Sequence, residues 1–148
     1  MFKNILIPTD GSPLSLKAAL NGVKLAQALG AKIVAFYAAP PATPVEYKGV
    51  FPVRIMTPEQ HKKIIEKAAV KYLGAIEGAA AKAGVPCTLM CVTNDFPAEA
   101  ILAAAKRRKC DLIYMGAHGK RGLSGMLLGS QTQKVLANAK IPVVVDRG

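Results

Sequence analysis

The sequence predicts an α/β fold in which one parallel sheet carries helices on both of its faces. Short apolar runs of strand length alternate with longer segments whose apolar residues recur at helical spacing, giving the order βαβαβαβαβ. The 148 residues suit one domain and no linker separates two units, so we expect a single domain over residues 1–148. Right-handed crossovers would bring the carboxyl ends of all strands to one edge, where open sheets of this type bind ligands.

Local signals delimit these elements in order along the chain. Strands are expected at residues 2–9, 32–39, 87–93, 111–115 and 142–145. Helix starts are indicated by Ser12 before Pro13, by a capping box from Thr57 to Gln60, by Asp95 with Pro97, and by Ser130. Gly30 and Gly84 are placed to end the first two helices. Five prolines from residue 40 to residue 58 predict an irregular excursion there.

The charge balance favours an anionic partner. Twenty Lys and Arg residues against nine Asp and Glu residues give a net charge of +11. The basic run at residues 106–109 falls where a helix should end, and cations at that end complement the helix dipole. Aromatic side chains that would stack on nucleic-acid bases are not interleaved with this run. We therefore favour a solvated helix end over a nucleic-acid-binding patch.

Hydropathy and cysteine usage favour the cytoplasm. No stretch approaches the ~20 apolar residues of a transmembrane helix, and the apolar run at residues 5–7 is too short for an export signal. We therefore expect no membrane association. The three cysteines, Cys87, Cys91 and Cys110, are an odd set that makes a poor disulfide framework, and we expect them to be buried as small hydrophobes.

A glycine-rich segment after the fourth strand carries the main chemical signal. Gly116 and Gly119 follow the strand, and Gly129 with Ser130 opens the last helix. Glycines let a backbone approach a ligand closely, and a helix N-terminus offers free N–H groups and the positive end of a dipole. The combination suits a phosphate cradle, to which the cations at residues 120–121 would add positive potential. It matches neither a Walker A loop nor the dinucleotide fingerprint, and taken alone it is equally compatible with a structural loop.

The spacing Gly116-x2-Gly119-x9-Gly129-Ser130 resembles the nucleotide signature of the ATP-binding branch of the universal stress protein family. The surrounding residues 111–123, the opening at residues 5–12 and the ending at residues 141–145 are also similar to that family. The resemblance covers essentially the whole chain. It implies a five-stranded parallel sheet of strand order 3-2-1-4-5, of the adenine nucleotide alpha hydrolase-like type.

The same resemblance implies a site for an adenine nucleotide, ATP or AMP, with Asp10 acting on Mg²⁺ indirectly through metal-bound phosphates and with no catalytic residue. The implied nucleotide-binding residues are Pro8, Thr9, Asp10, Ala38, Met115, Gly116, His118, Gly119, Gly129, Ser130, Gln131 and Thr132. On the residues alone, Asp10 could instead only cap the first helix. His118 fits a loop or ligand contact better than a general base, because no nucleophile is paired with it by motif.

The expected function is that of a stress-response or signalling protein that changes shape or partners when it binds ATP or AMP. One alternative is a slow Mg²⁺-dependent ATPase, although the motif shows no catalytic base or arginine finger, so at most weak hydrolysis is expected. The other alternative is a basic nucleic-acid-binding module. The short apolar strand at residues 142–145 would invite strand pairing at a sheet edge, and the resemblance implies a homodimer through it.

Overall fold

The computed structural model describes residues 1–40, 45–54, 56–119 and 128–148, and it shows alternating strands and helices. In chain order the elements are β1 (Asn4–Thr9), α1 (Pro13–Leu29), β2 (Lys32–Ala39), β3 (Val45–Lys48), β4 (Phe51–Arg54), α2 (Pro58–Ala83), β5 (Cys87–Thr93), α3 (Pro97–Arg107), β6 (Leu112–Gly116), α4 (Ser130–Asn138) and β7 (Val143–Asp146). Within these ranges, no helix combines the length and the apolar character needed to cross a bilayer.

The main sheet has five strands in the order β5-β2-β1-β6-β7, and all neighbouring pairs are parallel. Numbered among themselves, these strands have the order 3-2-1-4-5, which confirms the prediction. Alternate residues of β1 point to opposite faces, as the period of a strand requires. Ile5 and Ile7 pack with α1 and α2, whereas Leu6 packs with α3 and α4. The sheet is therefore covered by two helices on each face, and β1 is buried at its centre.

The expectation of irregular structure across residues 40–58 is wrong for part of that segment. β3 and β4 form an antiparallel hairpin in which Lys48 pairs with Phe51, leaving a two-residue turn. Gly49 occupies the left-handed region with φ 66°, which glycine adopts without strain. Pro52 lies within β4, where it pairs with Tyr47. A two-stranded ribbon tolerates this proline because each strand has an outer edge that needs no donor.

The helix ends follow their sequence signals with one exception. Ser12 caps α1, and its hydroxyl accepts a hydrogen bond from the N–H of Ser15 at 3.2 Å. The capping box that opens α2 is present, and Gly30 and Gly84 end α1 and α2 in the left-handed conformation. The basic run does close α3, whose last turn contains Lys106 and Arg107.

The exception is the start of α3, which the sequence placed at Asp95. The N-cap residue is Phe96, whose own side chain makes no capping hydrogen bond. The turn before it is closed by Asn94, whose Oδ1 accepts a hydrogen bond from the N–H of Phe96 at 2.8 Å. Asn94, rather than Asp95, therefore makes the side-chain hydrogen bond at this turn.

The cysteines are only partly buried, which corrects the expectation made for them. Cys110 is buried, Cys87 is half-buried and Cys91 is exposed, and all three are free thiols. The difference arises because β5 is an edge strand with a neighbour on one side only. Burial, followed by the charge of Asp111, raises the pKa of the Cys110 thiol to about 11.

The carboxyl end of β7 is fixed by a polar cluster, and it also holds Ala117, the residue that follows β6. The Asp146 carboxylate accepts hydrogen bonds from Nδ2 of Asn21 and from the hydroxyl of Tyr114, each at 2.8 Å. Burial, followed by the hydrogen bond and the charge of Asp146, raises the pKa of Tyr114 to about 12. The carbonyl of Asp146 accepts a hydrogen bond from the N–H of Ala117 at 2.8 Å. The chain therefore leaves β6 along a path held by β7.

Candidate functional site

A cavity of about 520 Å³ opens at the carboxyl edge of the sheet, across the ends of β6, β1, β2 and β5. Its position is the one predicted from the strand–helix alternation. All twelve residues proposed from the sequence border it: Pro8, Thr9, Asp10, Ala38, Met115, Gly116, His118, Gly119, Gly129, Ser130, Gln131 and Thr132. The structure therefore brings together residues from three strand ends and one helix start.

The turn from β1 to α1 holds Asp10 at the rim of this cavity. Gly11 permits the turn with φ 82°, and its N–H donates to Oγ1 of Thr9 at 3.1 Å. The hydroxyls of Thr9 and Ser15 lie 2.9 Å apart and share a hydrogen bond. Oδ1 of Asp10 accepts a hydrogen bond from the N–H of Ser12 at 2.9 Å. The Asp10 carboxylate is therefore oriented by the start of α1, and it also borders the cavity.

The glycines of the signature are needed for space rather than for an unusual backbone angle. A Cβ at Gly119 would collide with Oδ2 of Asp10. A Cβ at Gly129 would lie 3.4 Å from both the carbonyl oxygen of Ala117 and Cα of His118. Neither glycine is among the described residues with positive φ. A side chain at Gly119 would therefore meet a steric conflict, whereas neither position requires the left-handed backbone that favours glycine.

The start of α4 is held against β6 and α3 by side chains that the sequence analysis assigned to the ligand. The hydroxyl of Thr132, which is buried, donates to the carbonyl of Gly116 at 3.0 Å. Oε1 of Gln131 accepts a hydrogen bond from the N–H of Ala98 at 3.1 Å. Both residues border the cavity, but these side-chain atoms already serve to dock the helix.

The N-cap of α4 is Gly129, and no side chain in the described part of the chain caps this helix. The N–H of Gly129 itself donates to the carbonyl of Ala117 at 2.7 Å. The first N–H groups of a helix have no partner within the helix and carry partial positive charge. Ser130, the first residue of α4, borders the cavity and is exposed. This end of the cavity can therefore donate hydrogen bonds to an anion through backbone N–H groups and a hydroxyl.

His118 places an unsatisfied polar atom at the same wall. Its Nε2 is buried and has no hydrogen-bond partner among the residues that the structure describes. A buried polar atom without a partner is costly, so such an atom commonly indicates a missing ligand or water. The cations expected at residues 120–121 lie outside the described residues, as does the rest of the segment up to residue 127.

The opposite part of the cavity is apolar and was largely missed by sequence reasoning. We call it the apolar end, and it is formed by Phe36, Ala38, Pro40, Pro97 and Ile101. We call Asp10, Gly119, Gly129 and Ser130 the glycine end. Only Ala38 of the apolar end was proposed from the sequence. Ile101 lies one turn beyond Pro97 on α3, a spacing that could have indicated a shared face.

The described residues contain no group of three or more His, Cys, Asp or Glu side chains that would hold a metal by themselves. Asp10 is the carboxylate at the glycine end of the cavity, and it lies beside Gly119. One carboxylate with phosphate oxygens and water is a common way for proteins to bind Mg²⁺. The site therefore fits a metal that arrives with a phosphorylated ligand rather than one held by a cage of protein ligands.

Comparison with known proteins identifies the family. The model of the Universal stress protein family matches residues 1–147. The chain belongs to the universal stress protein family. A universal stress protein from Thermus aquaticus is 36% identical over 151 residues, covering 99% of this chain and 100% of the relative. Another from Methanocaldococcus jannaschii is 32% identical over 147 residues, covering 98% of this chain and 82% of the relative.

Solved structures of universal stress proteins share the fold. The UspA protein from Lactobacillus plantarum has a TM-score of 0.77 at 24% identity, with 99% of this chain and 98% of that chain covered. A universal stress protein in complex with cAMP has a TM-score of 0.69 at 23% identity, covering 99% and 97% of the two chains. A family member from Arabidopsis thaliana with AMP bound has a TM-score of 0.64 at 17% identity, covering 97% and 90%.

Proposed function

We propose that this universal stress protein binds an adenine nucleotide, ATP or AMP, in the cavity at the carboxyl edge of its sheet. The observation that carries the proposal is the division of the cavity into a glycine end and an apolar end. A nucleotide has the same division, because its ribose separates anionic phosphates from a flat aromatic base. Ligand pockets commonly combine apolar walls with a few convergent polar groups.

The glycine end suits the phosphates. The uncapped start of α4 provides N–H donors and the positive end of the helix dipole, and Ser130 adds a hydroxyl. Gly119 lets the backbone lie against Asp10 without an intervening side chain. The phosphates would therefore lie at Gly116, Gly119, Gly129 and Ser130, with Pro8, Thr9, Met115 and His118 along the ribose and the remaining wall.

The apolar end suits the base. Ala38 is half-buried at the end of β2, and Ile101 approaches from α3. The base would displace water from these surfaces, which is favourable in proportion to the apolar area covered. The complexes of other universal stress proteins with cAMP and with AMP support the same ligand class for this chain.

Asp10 would bind Mg²⁺ together with the phosphates of ATP. When bound, the ion would neutralise phosphate charge beside the carboxylate. Oδ1 of Asp10 is oriented by the N–H of Ser12, so the carboxylate is held in place before any ion arrives. AMP has a single phosphate and would depend less on the ion.

The direct test is mass spectrometry of the nucleotide released when the purified protein is denatured, followed by calorimetry with ATP and AMP. Co-purified adenine nucleotide and saturable binding at one site per chain are expected. A protein that neither carries nor binds adenine nucleotides would contradict the proposal. Incubation with ATP and Mg²⁺, with ADP as the readout, would separate a binding protein that responds to nucleotide from a slow ATPase.

We also propose that two chains form a two-fold homodimer through β7. This strand is at the edge of the sheet, and its residues are all half-buried in the single chain. An apolar edge strand with unpaired backbone groups is a template for pairing with a second copy. Light scattering at micromolar concentration should give the mass of a dimer. A monomeric mass, with Val144 accessible to solvent in hydrogen exchange, would contradict the proposal.

A further inference from the structure

The turn between β5 and α3 presents a carboxylate that the local structure does not use. Asn94, rather than Asp95, closes the turn by accepting the hydrogen bond from Phe96. Within the described residues, the Asp95 side chain has neither a hydrogen bond nor an ion pair. It borders the same cavity as the glycine end and is exposed.

Asp95 follows β5, which is an edge strand of the sheet. In the strand order, β5 is separated from β6 by β2 and β1, so the ends of β5 and β6 are about 14 Å apart at the usual spacing of parallel strands. A nucleotide with its phosphates at β6 and α4 therefore extends its base towards β2 and β5. Asp95 lies on that side, next to Pro97 of the apolar end.

Asp95 is also the one carboxylate among the described residues that border the cavity on the β2 and β5 side. The surrounding wall consists of Phe36, Ala38, Pro40, Pro97 and Ile101, together with Tyr37 and Asn94. A single charged acceptor beside an apolar wall is suited to specificity, because a ligand group that cannot donate to it displaces water from the carboxylate without replacing its hydrogen bonds.

We infer that Asp95 reads the 6-position of the purine and selects a 6-amino group over a 6-oxo group. The inference rests on the proposed function, since it needs the nucleotide to lie with its base at the apolar end. An ionised carboxylate only accepts hydrogen bonds. The 6-amino group of adenine donates to it, whereas the 6-oxo group of hypoxanthine turns an oxygen lone pair towards it and is repelled.

The change from Asp95 to Asn sharpens the test because it conserves the shape of the side chain and replaces one carboxylate oxygen, an acceptor, with an NH₂ donor. The amide of Asn can donate to a 6-oxo group through its NH₂. Wild-type protein should therefore bind ATP more tightly than ITP by about tenfold or more, the effect of one hydrogen bond to a charged group. In Asp95→Asn, the ratio of ATP affinity to ITP affinity should fall towards one or invert. In Asp95→Ala the two ligands should bind about equally.

Glu99→Gln provides the matched control, because Glu99 is an exposed acidic residue in the first turn of α3, the helix that follows Asp95. This substitution removes one negative charge, as Asp95→Asn does, without changing the cavity wall. It should leave the ratio of ATP affinity to ITP affinity at the wild-type value. Purine riboside triphosphate, which has no substituent at the 6-position, should bind wild-type protein with intermediate affinity.

The affinities are measured by calorimetry for each ligand and variant, with folding checked by circular dichroism. An ATP-to-ITP ratio that is the same in wild type and Asp95→Asn, with ATP still bound, would overturn the role of Asp95 and leave the proposed function standing. An equal change of the ratio in Glu99→Gln would overturn it also, because general electrostatics would then explain the effect. Failure of wild-type protein to bind ATP would overturn the proposed function and this inference with it.

Discussion

The two ends of the cavity are built in different ways. At the glycine end, close backbone approach decides the shape, since a Cβ at Gly119 would collide with Asp10. At the apolar end, side chains from β2 and α3 form the wall, and the polar group is the carboxylate of Asp95. A surface made of backbone leaves little freedom for substitution, whereas a surface made of side chains can change without moving the chain. The glycine end should therefore determine whether a nucleotide binds, and the apolar end should determine which nucleotide is bound.

Substitution of the loop glycines should have the largest effect. Gly119→Val and Gly129→Val should abolish detectable ATP binding in calorimetry, because a branched side chain would displace Asp10 in the first variant and fill the space for phosphate in the second. Gly129→Ala should be milder than Gly119→Ala, since its Cβ would lie at 3.4 Å from Ala117 and His118, close to ordinary contact distance.

Gly74→Val is the matched control for these variants. Gly74 lies in α2, and a Cβ there would meet no atom within 4 Å. It should retain ATP affinity and fold normally. Unchanged ATP affinity in a folded Gly129→Val protein would refute the assignment of this segment as the phosphate cradle, and the contrast between the two ends would no longer hold.

Removal of the Asp10 carboxylate should have the next largest effect on ATP binding. That effect should be confined to the part of the affinity that depends on Mg²⁺. Asp10→Ala should remove most of the Mg²⁺ dependence of ATP binding while changing AMP affinity little, because the base and ribose contacts remain. Calorimetry of both ligands with and without Mg²⁺ measures this. Asp10→Asn keeps an oxygen that can accept the N–H of Ser12, so it separates loss of the metal from loss of the turn. Equal losses of ATP and AMP affinity would place Asp10 at the nucleoside instead.

The same contrast explains how much could be predicted from the sequence. The succession of strands and helices and the glycines of the glycine end were predicted because the signals are local: apolar strand runs, capping residues, and glycines with fixed spacing. The strand order was predicted from the family resemblance instead. Ser12, Thr57 and Gly30 perform the roles that their positions indicated. The twelve expected residues meet at one cavity because parallel strands deliver their carboxyl ends to one edge.

The apolar end could not be predicted in the same way, because its residues are ordinary in the sequence. Phe36 and Ile101 have the pattern of core positions, and only packing of α3 against β2 brings them to the cavity. The hairpin of β3 and β4 was missed because prolines were taken as breakers, although an outer edge accepts them. Asp95 was taken as a helix start, since the sequence does not show that Asn94 closes that turn.

Removal of one hydroxyl at the glycine end should have the smallest effect. Ser130→Ala should weaken ATP binding by about 1 kcal/mol, the value of one hydrogen bond, or up to ~3 kcal/mol if the hydroxyl donates to a charged phosphate oxygen.

Thr132→Val is the matched control, because the Thr132 hydroxyl donates to Gly116 inside the protein. It should lower the free energy of unfolding by about 1–3 kcal/mol, since a buried carbonyl loses its donor. Denaturant melts and calorimetry on both variants separate the two roles. If Ser130→Ala destabilised the fold and left ATP affinity unchanged, Ser130 would be a docking residue like Thr132, and the phosphate contacts at this end would come from backbone N–H groups.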